Sequence, residues 1–228
     1  MERGKFIVID GIDGSGKGTQ AKLLVERLRK EGYKVETSDF PQYNKWSSEH
    51  VKRYLRGEFG TVEEVGPKKA SAMYALDRQE ASARMHRWLN EGKIIISNRY
   101  VSANKGHQLG KIKDPEERKD FLHWINDLEY KIMGIPIPDL TLFLNMRPDI
   151  GQKLVDKKEE RAYIKGKKRD IHEDDINHLE NAHRAYLFCL ENDKTENWQQ
   201  VICFENDNPR LESHIHQDIY TLVKDFLN

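Results

Sequence analysis

GIDGSGKG, residues 11–18, places glycines 11, 14 and 16 ahead of Lys17 and a further glycine, Gly18, behind it. Backbone N–H groups without bulky side chains can close around an anion, and the lysine adds a point charge. The spacing fits G-x-x-x-x-G-K, the pattern of a loop that binds nucleotide phosphates. Gly11, Gly14, Ser15, Gly16, Gly18 and Thr19 then supply the cradle, with Lys17 reaching the β- and γ-phosphates. Gly18 stands where a serine or threonine usually offers its hydroxyl to Mg²⁺. Metal ligation therefore falls on Thr19, on water or on acids such as Asp13. A second polar set, SNRYVSANKGHQ (97–108), brings an arginine, a lysine, a histidine, two asparagines and a glutamine straight after the apolar run KIII. An ordinary turn needs little of that, so the segment reads as a recognition loop. A third set, ERAYIKGKKRD (160–170), carries Arg161, Lys165, Lys167, Lys168 and Arg169. Composition alone makes it a solvated charge run or a localisation signal.

Alternating strands and helices would have to hold these groups. KFIVID (5–10) reads as a strand into the glycine loop, and TQAKLLVERLRKEG as a helix with Leu23, Leu24 and Leu28 on one face. YKVETSD (33–39) is a second strand, residues 47–57 look helical, and a long helix runs from Pro67 to Gly92. KIIIS (93–97) is the third strand, followed by the recognition loop; a helix over about 115–133 leads to DLTLFLN (139–145). Pro148 starts another helix, LENAHRAYLFCL forms the next, QVICFE (200–205) is a fifth strand, and a helix over 210–227 closes the chain. This alternation predicts an α/β fold with a five-stranded parallel sheet covered by helices. Ligands in such folds bind beyond the C-terminal strand ends, where both the glycine loop and the 97–108 loop fall.

The composition narrows the function classes. The 228 residues allow a single α/β domain with a large core. Lysine plus arginine equals aspartate plus glutamate at 38 each, which favours neither a nucleic-acid coat nor a membrane-surface protein. The two cysteines, Cys189 and Cys203, make no CxxC and read as packed thiols. The nine histidines form no metal-ligand pattern. The amino end enters a strand at once and no apolar run reaches about 18 residues, so the sequence reads as cytoplasmic.

GSGKGTQ resembles the nucleoside monophosphate kinases, which pass a γ-phosphoryl group to a second nucleotide rather than to water. GIDGSGKGTQ, DFPQY, YALDR, NRYVSANKGHQ, PDLTLFL and the basic segment before DIHEDD stand in the order and spacing of one branch. On these six segments the chain resembles the thymidylate kinases, from its first strand to its end. The resemblance implies a P-loop kinase fold in one domain over 1–228, with a short mobile lid at about 158–172. It also implies phosphorylation of dTMP to dTDP with ATP and Mg²⁺, in a cytoplasmic homodimer without nucleic-acid or membrane partners.

Residue roles follow from the same resemblance. Asp13 would approach the acceptor and help to hold Mg²⁺; Phe40 and Tyr43 would line the acceptor, and Tyr74 would stack on its base. Arg78, one helical turn on, would bond a base carbonyl, Arg99 would clamp the acceptor phosphate, and Asn104 would meet the base edge. His107 and Gln108 complete the acceptor set, and Glu173 matches an acid near it. Gly14 occupies the loop position where some relatives carry a catalytic arginine. The lid would then supply that cation, from Arg161 or Arg169. Each residue also has a structural reading: Tyr74 and Met73 as core, Arg78 paired with Asp77 or Glu80, Asn104 as a turn residue, Glu173 as a helix N-terminal acid.

Three positions depart from the pattern. Asn98 stands where an aspartate is common, His107 where several bacterial members carry a tyrosine near the sugar 2′ position, and Tyr74 where phenylalanine is usual. Asn98 opens the alternative of an inactive nucleotide-binding relative and His107 bears on discrimination against ribose, while a kinase for dUMP or a modified pyrimidine is the alternative within the same class. NKGH (104–107) has a histidine where the guanine-reading N-K-x-D has its aspartate, which speaks against a switch GTPase.

Overall fold

A computed structural model of the chain describes residues 2–156 and 176–227. The expected lid, with Arg161, Arg169 and Glu173, lies outside the described residues. The elements are β1 (Phe6–Asp10), α1 (Lys17–Lys30), β2 (Val35–Asp39), α2 (Glu49–Leu55), α3 (Val62–Asn90), β3 (Ile94–Asn98), α4 (Val101–His107) and α5 (Pro115–Asn126). They continue as β4 (Leu140–Asn145), α6 (Pro148–Asp156), α7 (Ile176–Asn192), β5 (Trp198–Ile202) and α8 (Glu212–Leu227). A two-stranded hairpin, β6 (Phe204–Glu205) with β7 (Asn208–Pro209), precedes α8.

All five long strands are parallel, in the order β2-β3-β1-β4-β5. The expected sheet is therefore present. β1 and β4 are buried at every position, as apolar strands covered on both faces must be, whereas edge strands β2 and β5 are buried only at their first and fourth positions. One apolar core extends from Phe6 to Val223. A smaller one, centred on Val51, Tyr54, Leu55, Val65 and Ala70, packs between α2 and α3. Cys189 and Cys203 are buried free thiols in this frame, and burial pushes both thiols up in pKa, as expected of packing groups.

Four elements differ from the sequence reading; one is the fifth strand, expected over 200–205, which runs over Trp198–Ile202 while Phe204–Glu205 belongs to the hairpin. α3 starts at Val62 rather than Pro67: a capping box between Thr61 and Glu64 nucleates an extra turn, which breaks at Gly66 (φ 71°) before Pro67 resumes the helix. The helix expected over 115–133 gives way to a π-helical turn at Asp127–Ile132. The recognition loop is mostly helix: the chain reverses at Arg99 and then forms α4. α4 hides from pattern reading because the side chains it buries include Asn104, Lys105 and His107.

Candidate active site

The phosphate loop sits between β1 and α1, beyond the C-terminal strand ends. The first turn of α1 carries no acid, which leaves the positive end of the helix dipole available to an anion. At Gly14 (φ 82°) an added Cβ would come within 2.1 Å of the Gly151 carbonyl oxygen. The loop thus has no room for a side chain there, arginine included. Lys17 is buried and folds back, donating to the Ile12 carbonyl at 3.1 Å and to Asp13 Oδ1 at 3.1 Å. Arg99 also pairs with Asp13 Oδ1. Asp13 therefore holds two cations in readiness above the loop.

Burial, with Arg99 adding repulsion, lowers the Lys17 pKa from its ordinary 10.5 to about 8, against Asp13 and Asp10, which pull it up. ATP affinity of the free protein should therefore decline as pH rises from 7 to 9, because the neutral amine no longer attracts phosphate. The linkage to folding has the opposite sign. Between about 8 and 10.5 the unfolded lysine binds more proton than the folded one, so this group's contribution to stability rises with pH. Calorimetric ATP titrations across that range, with a Lys17→Met control that removes the trend, check the prediction. A flat wild-type profile would refute it.

Arg99 occupies the left-handed region (φ 63°), a conformation that costs a non-glycine residue about 1–3 kcal/mol. Its carbonyl accepts from Ser97 Oγ at 2.7 Å, which fixes the reversal. The turn aims the guanidinium back over the phosphate loop. Burial disfavours its charge, but Asp13 and Asp10 keep its pKa well above the ordinary arginine value. Asp10 itself accepts from the Gly11 N–H (2.8 Å), Ser102 (2.6 Å) and Tyr186 (3.1 Å), so it braces the sheet end.

Two cavities meet at this wall. One, of about 490 Å³, lies over the phosphate loop and is lined by Lys17, Gly18, Thr19, Asp39, Asn98 and Arg99 among others. The second collects Asp13, Phe40, Tyr43, Tyr74, Arg78, Arg99, Asn104, His107 and Gln108. Nine residues expected around an acceptor thus converge on one cleft. The cleft leaves about 40 Å³, room for a few waters, so a nucleotide entering it must displace side chains. Tyr74 packs on the small core and also lines the cleft. Asp77 accepts from the Gln42 N–H at 2.7 Å and from Ser47 Oγ at 2.5 Å, which pins the segment carrying Tyr43.

Sequence reasoning missed the acid that organises the cleft. Arg78 pairs with neither Asp77 nor Glu80 but with Glu129, in a buried two-pronged bond of 2.5 and 2.6 Å. Its Nη1 donates to the Tyr100 carbonyl at 3.2 Å, leaving two of its five N–H donors uncommitted. Asn104 gives both amide hydrogens away, to Glu129 Oε1 (3.1 Å) and the Ser71 carbonyl (3.2 Å). Only acceptors surround that nitrogen, so the amide orientation is fixed and Oδ1 remains for the cleft. A signal existed in the sequence: Glu129 falls four residues after Ile125, where the buried stripe of α5 continues into the π-helical turn and an acid needs a partner.

His107 is buried in the cleft floor. Its Nδ1 lies 3.2 Å from His178 Nε2, and its own Nε2 has no hydrogen-bond partner. Burial holds it well below the ordinary histidine pKa, so it is a neutral ring at physiological pH. Gln108 Oε1 accepts from Lys111 at 2.6 Å. Lys105 points the other way, into the core, where it meets Asp193 at 2.5 Å and Glu196. It belongs to the support of α4, not to the cleft.

Among the described residues no group of three or more histidine, cysteine or acidic side chains could cage a metal. An ion arriving with nucleotide phosphates needs far less, since Mg²⁺ keeps several waters and takes one or two protein oxygens. The phosphate-loop cavity offers Thr19 and, on its wall, a buried Asn98 Oδ1 that lacks any partner. The residues fit such an ion.

Comparison with known proteins agrees with this geometry. A family model described as thymidylate kinase matches residues 9–202. The thymidylate kinase of Schizosaccharomyces pombe is 30% identical over 156 residues, spanning 66% of this chain and 65% of that protein. Those of Alteromonas mediterranea and Halothermothrix orenii are 26% and 27% identical over 99% and 97% of this chain, and over 92% and 97% of their own lengths. The solved thymidylate kinase of Candida albicans shares the fold, with a TM-score of 0.71 at 21% identity over 98% of this chain and 92% of that one. No helix among the described residues is long and apolar enough to cross a membrane. With the phosphate loop, the adjoining cleft and a family match over most of its length, the chain belongs to the thymidylate kinase family, a family of phosphotransferases.

Proposed function

We propose that the protein transfers the γ-phosphoryl group of ATP to dTMP, giving dTDP and ADP. The observation that carries this reading is the shared Asp13–Arg99 wall between a phosphate-loop cavity and a cleft with pyrimidine-reading groups. An oxygen of the acceptor phosphate attacks the γ-phosphorus in line; the new P–O bond forms as the bond to the β-phosphate oxygen breaks. Lys17 and Arg99 draw the developing charge, the main protein contribution to such a step. The acceptor phosphate takes over the Arg99 fork from Asp13. Thr19 and the Asn98 side chain, both lining this cavity, would hold Mg²⁺ arriving with ATP, which would supply positive charge against that of the phosphates. Arg161 and Arg169 remain candidates for a further cation, and Glu173 for an acid near the acceptor.

The fixed Asn104 amide favours thymine and uracil. Its Oδ1 accepts from a pyrimidine N3–H, which cytosine lacks, and the spare Arg78 donors suit a base carbonyl. Buried polar groups left unpaired by the wrong base supply large discrimination. We also assign a homodimer. The support is the Leu76 side chain, 54% exposed on α3, and Trp46, 82% exposed; a solution mass of one chain would oppose it. An ATP-coupled assay across dTMP, dUMP, UMP, dCMP, GMP and AMP tests the substrate. dTMP should be the best acceptor, with dCMP at least about a hundred-fold poorer in kcat/KM. A purine or dCMP as best acceptor would overturn the reading, and a His107→Tyr variant in the same assay reports on discrimination against ribose.

A further inference from the structure

Asp39 and Asn98 end adjacent parallel strands and are register partners across β2 and β3. Asn98 Nδ2 donates to Asp39 Oδ1 at 2.9 Å, which turns Asn98 Oδ1 away from the carboxylate. That oxygen is buried and unpartnered, an unfavourable state unless something fills it. Both side chains line the phosphate-loop cavity together with Lys17, Gly18 and Thr19.

The position of Gly18 connects this pair to the loop. A Cβ built on Gly18 would meet Asn98 Nδ2 at 3.7 Å, ordinary contact distance, with nothing else within 4 Å. The space in which a residue-18 hydroxyl would start is therefore faced by the Asn98 amide, with the Asp39 carboxylate behind it. In the ligand-free protein the other acids at this sheet end already have partners. Asp10 is enclosed by three donors, and Asp13 holds Lys17 and Arg99. Asp39 bonds the neutral amide of Asn98 and forms no ion pair among the described residues.

We propose that Asp39, with Asn98 Oδ1 beside it, receives the Mg²⁺ of the bound nucleotide or its coordinated water, replacing the hydroxyl absent at position 18. The assignment rests on reading this cavity as the ATP site. One carboxylate and one amide oxygen match what Mg²⁺ takes from a protein when phosphates and water fill the remaining positions. The Asn98 amide sets the carboxylate's orientation and leaves its own carbonyl to accept from a metal-bound water.

Calorimetric titration of ATP into wild-type protein and variants, with excess Mg²⁺ and separately with EDTA, tests the proposal. Wild type should prefer Mg·ATP over metal-free ATP. Asp39→Asn, which keeps an acceptor for Asn98, should shrink that preference at least ten-fold while EDTA-arm affinity stays equal or tightens. Adding Gly18→Ser to Asp39→Asn should restore the preference to within about three-fold, because the hydroxyl returns to the loop. An Asp39→Asn preference within two-fold of wild type, at unchanged EDTA-arm affinity, would overturn the proposal while leaving the ATP reading intact. Absence of ATP binding by wild type in both arms would overturn the ATP reading and this proposal with it.

Discussion

Replacing Arg99 by alanine should lower kcat/KM for dTMP by at least about a thousand-fold, the scale on which arginines act in phosphoryl transfer. Arg99 is the side chain that lines both cavities from the reversal after β3, so its loss touches acceptor binding and charge stabilisation together. Arg99→Lys should recover only part of the rate, because an ammonium restores charge without the fork. The backbone gives an independent check. At φ 63° alanine retains the left-handed cost and glycine does not. Arg99→Gly should therefore be about 1 kcal/mol more stable than Arg99→Ala, the reverse of the usual ranking within helices and strands. Steady-state kinetics and thermal melts of the three variants decide the matter. An Arg99→Ala rate within ten-fold of wild type would remove Arg99 from the mechanism.

The largest stability loss should come from Lys105→Met. Lys105 is fully buried and meets Asp193 and Glu196, while Tyr130 and Thr141 each donate to Glu196 at 2.6 Å and Trp198 donates to Asp193 at 3.1 Å. Burial pushes the Asp193 carboxyl up, but Lys105, joined by the Thr195 N–H and the Trp198 indole, more than offsets it and holds its pKa below the ordinary value. Without the ammonium, two carboxylates remain in the core with neutral donors only. The expected cost is about 3–5 kcal/mol, or roughly 10 °C in Tm. The sign of the pH dependence follows. In the variant burial acts on Asp193 without Lys105 to oppose it, so the folded state holds a proton there more tightly than the unfolded one and the deficit shrinks as pH falls from 8 to 5. Adding Asp193→Asn and Glu196→Gln should recover much of the loss. A Tm shift under 3 °C with no pH trend would show that the cluster carries little stability.

Much of this architecture can be read from the sequence, and the exceptions share a cause. Apolar strands such as FIVID and LTLFLN declare themselves because both faces are buried. The phosphate loop does so because its chemistry is local in sequence. α4 does not, because its buried face carries an amide, an ammonium and an imidazole whose partners arrive from distant elements. Glu129 meets Arg78 across 51 positions, and Asp39 meets Asn98 only once the strand order is known. Pattern reading registers burial of apolar groups and cannot register burial that is compensated by long-range pairing. Register with a family names residues that share one cleft, whereas the acid bonded to Arg78 and Asn104 carries no such local mark.

The contact between Gly14 and Gly151 has an evolutionary consequence. Two lineages of one fold can differ in whether a cation is carried by the loop itself, but this backbone contact separates them by a barrier. A first substitution at position 14 meets a carbonyl oxygen rather than a movable side chain, in a conformation that already disfavours any Cβ. The start of α6 would have to retreat before the new residue had any use, and a retreat without the new residue opens a gap under the loop. Neither change is favourable alone, so selection acting one substitution at a time keeps this loop bare and leaves charge to be supplied from other elements.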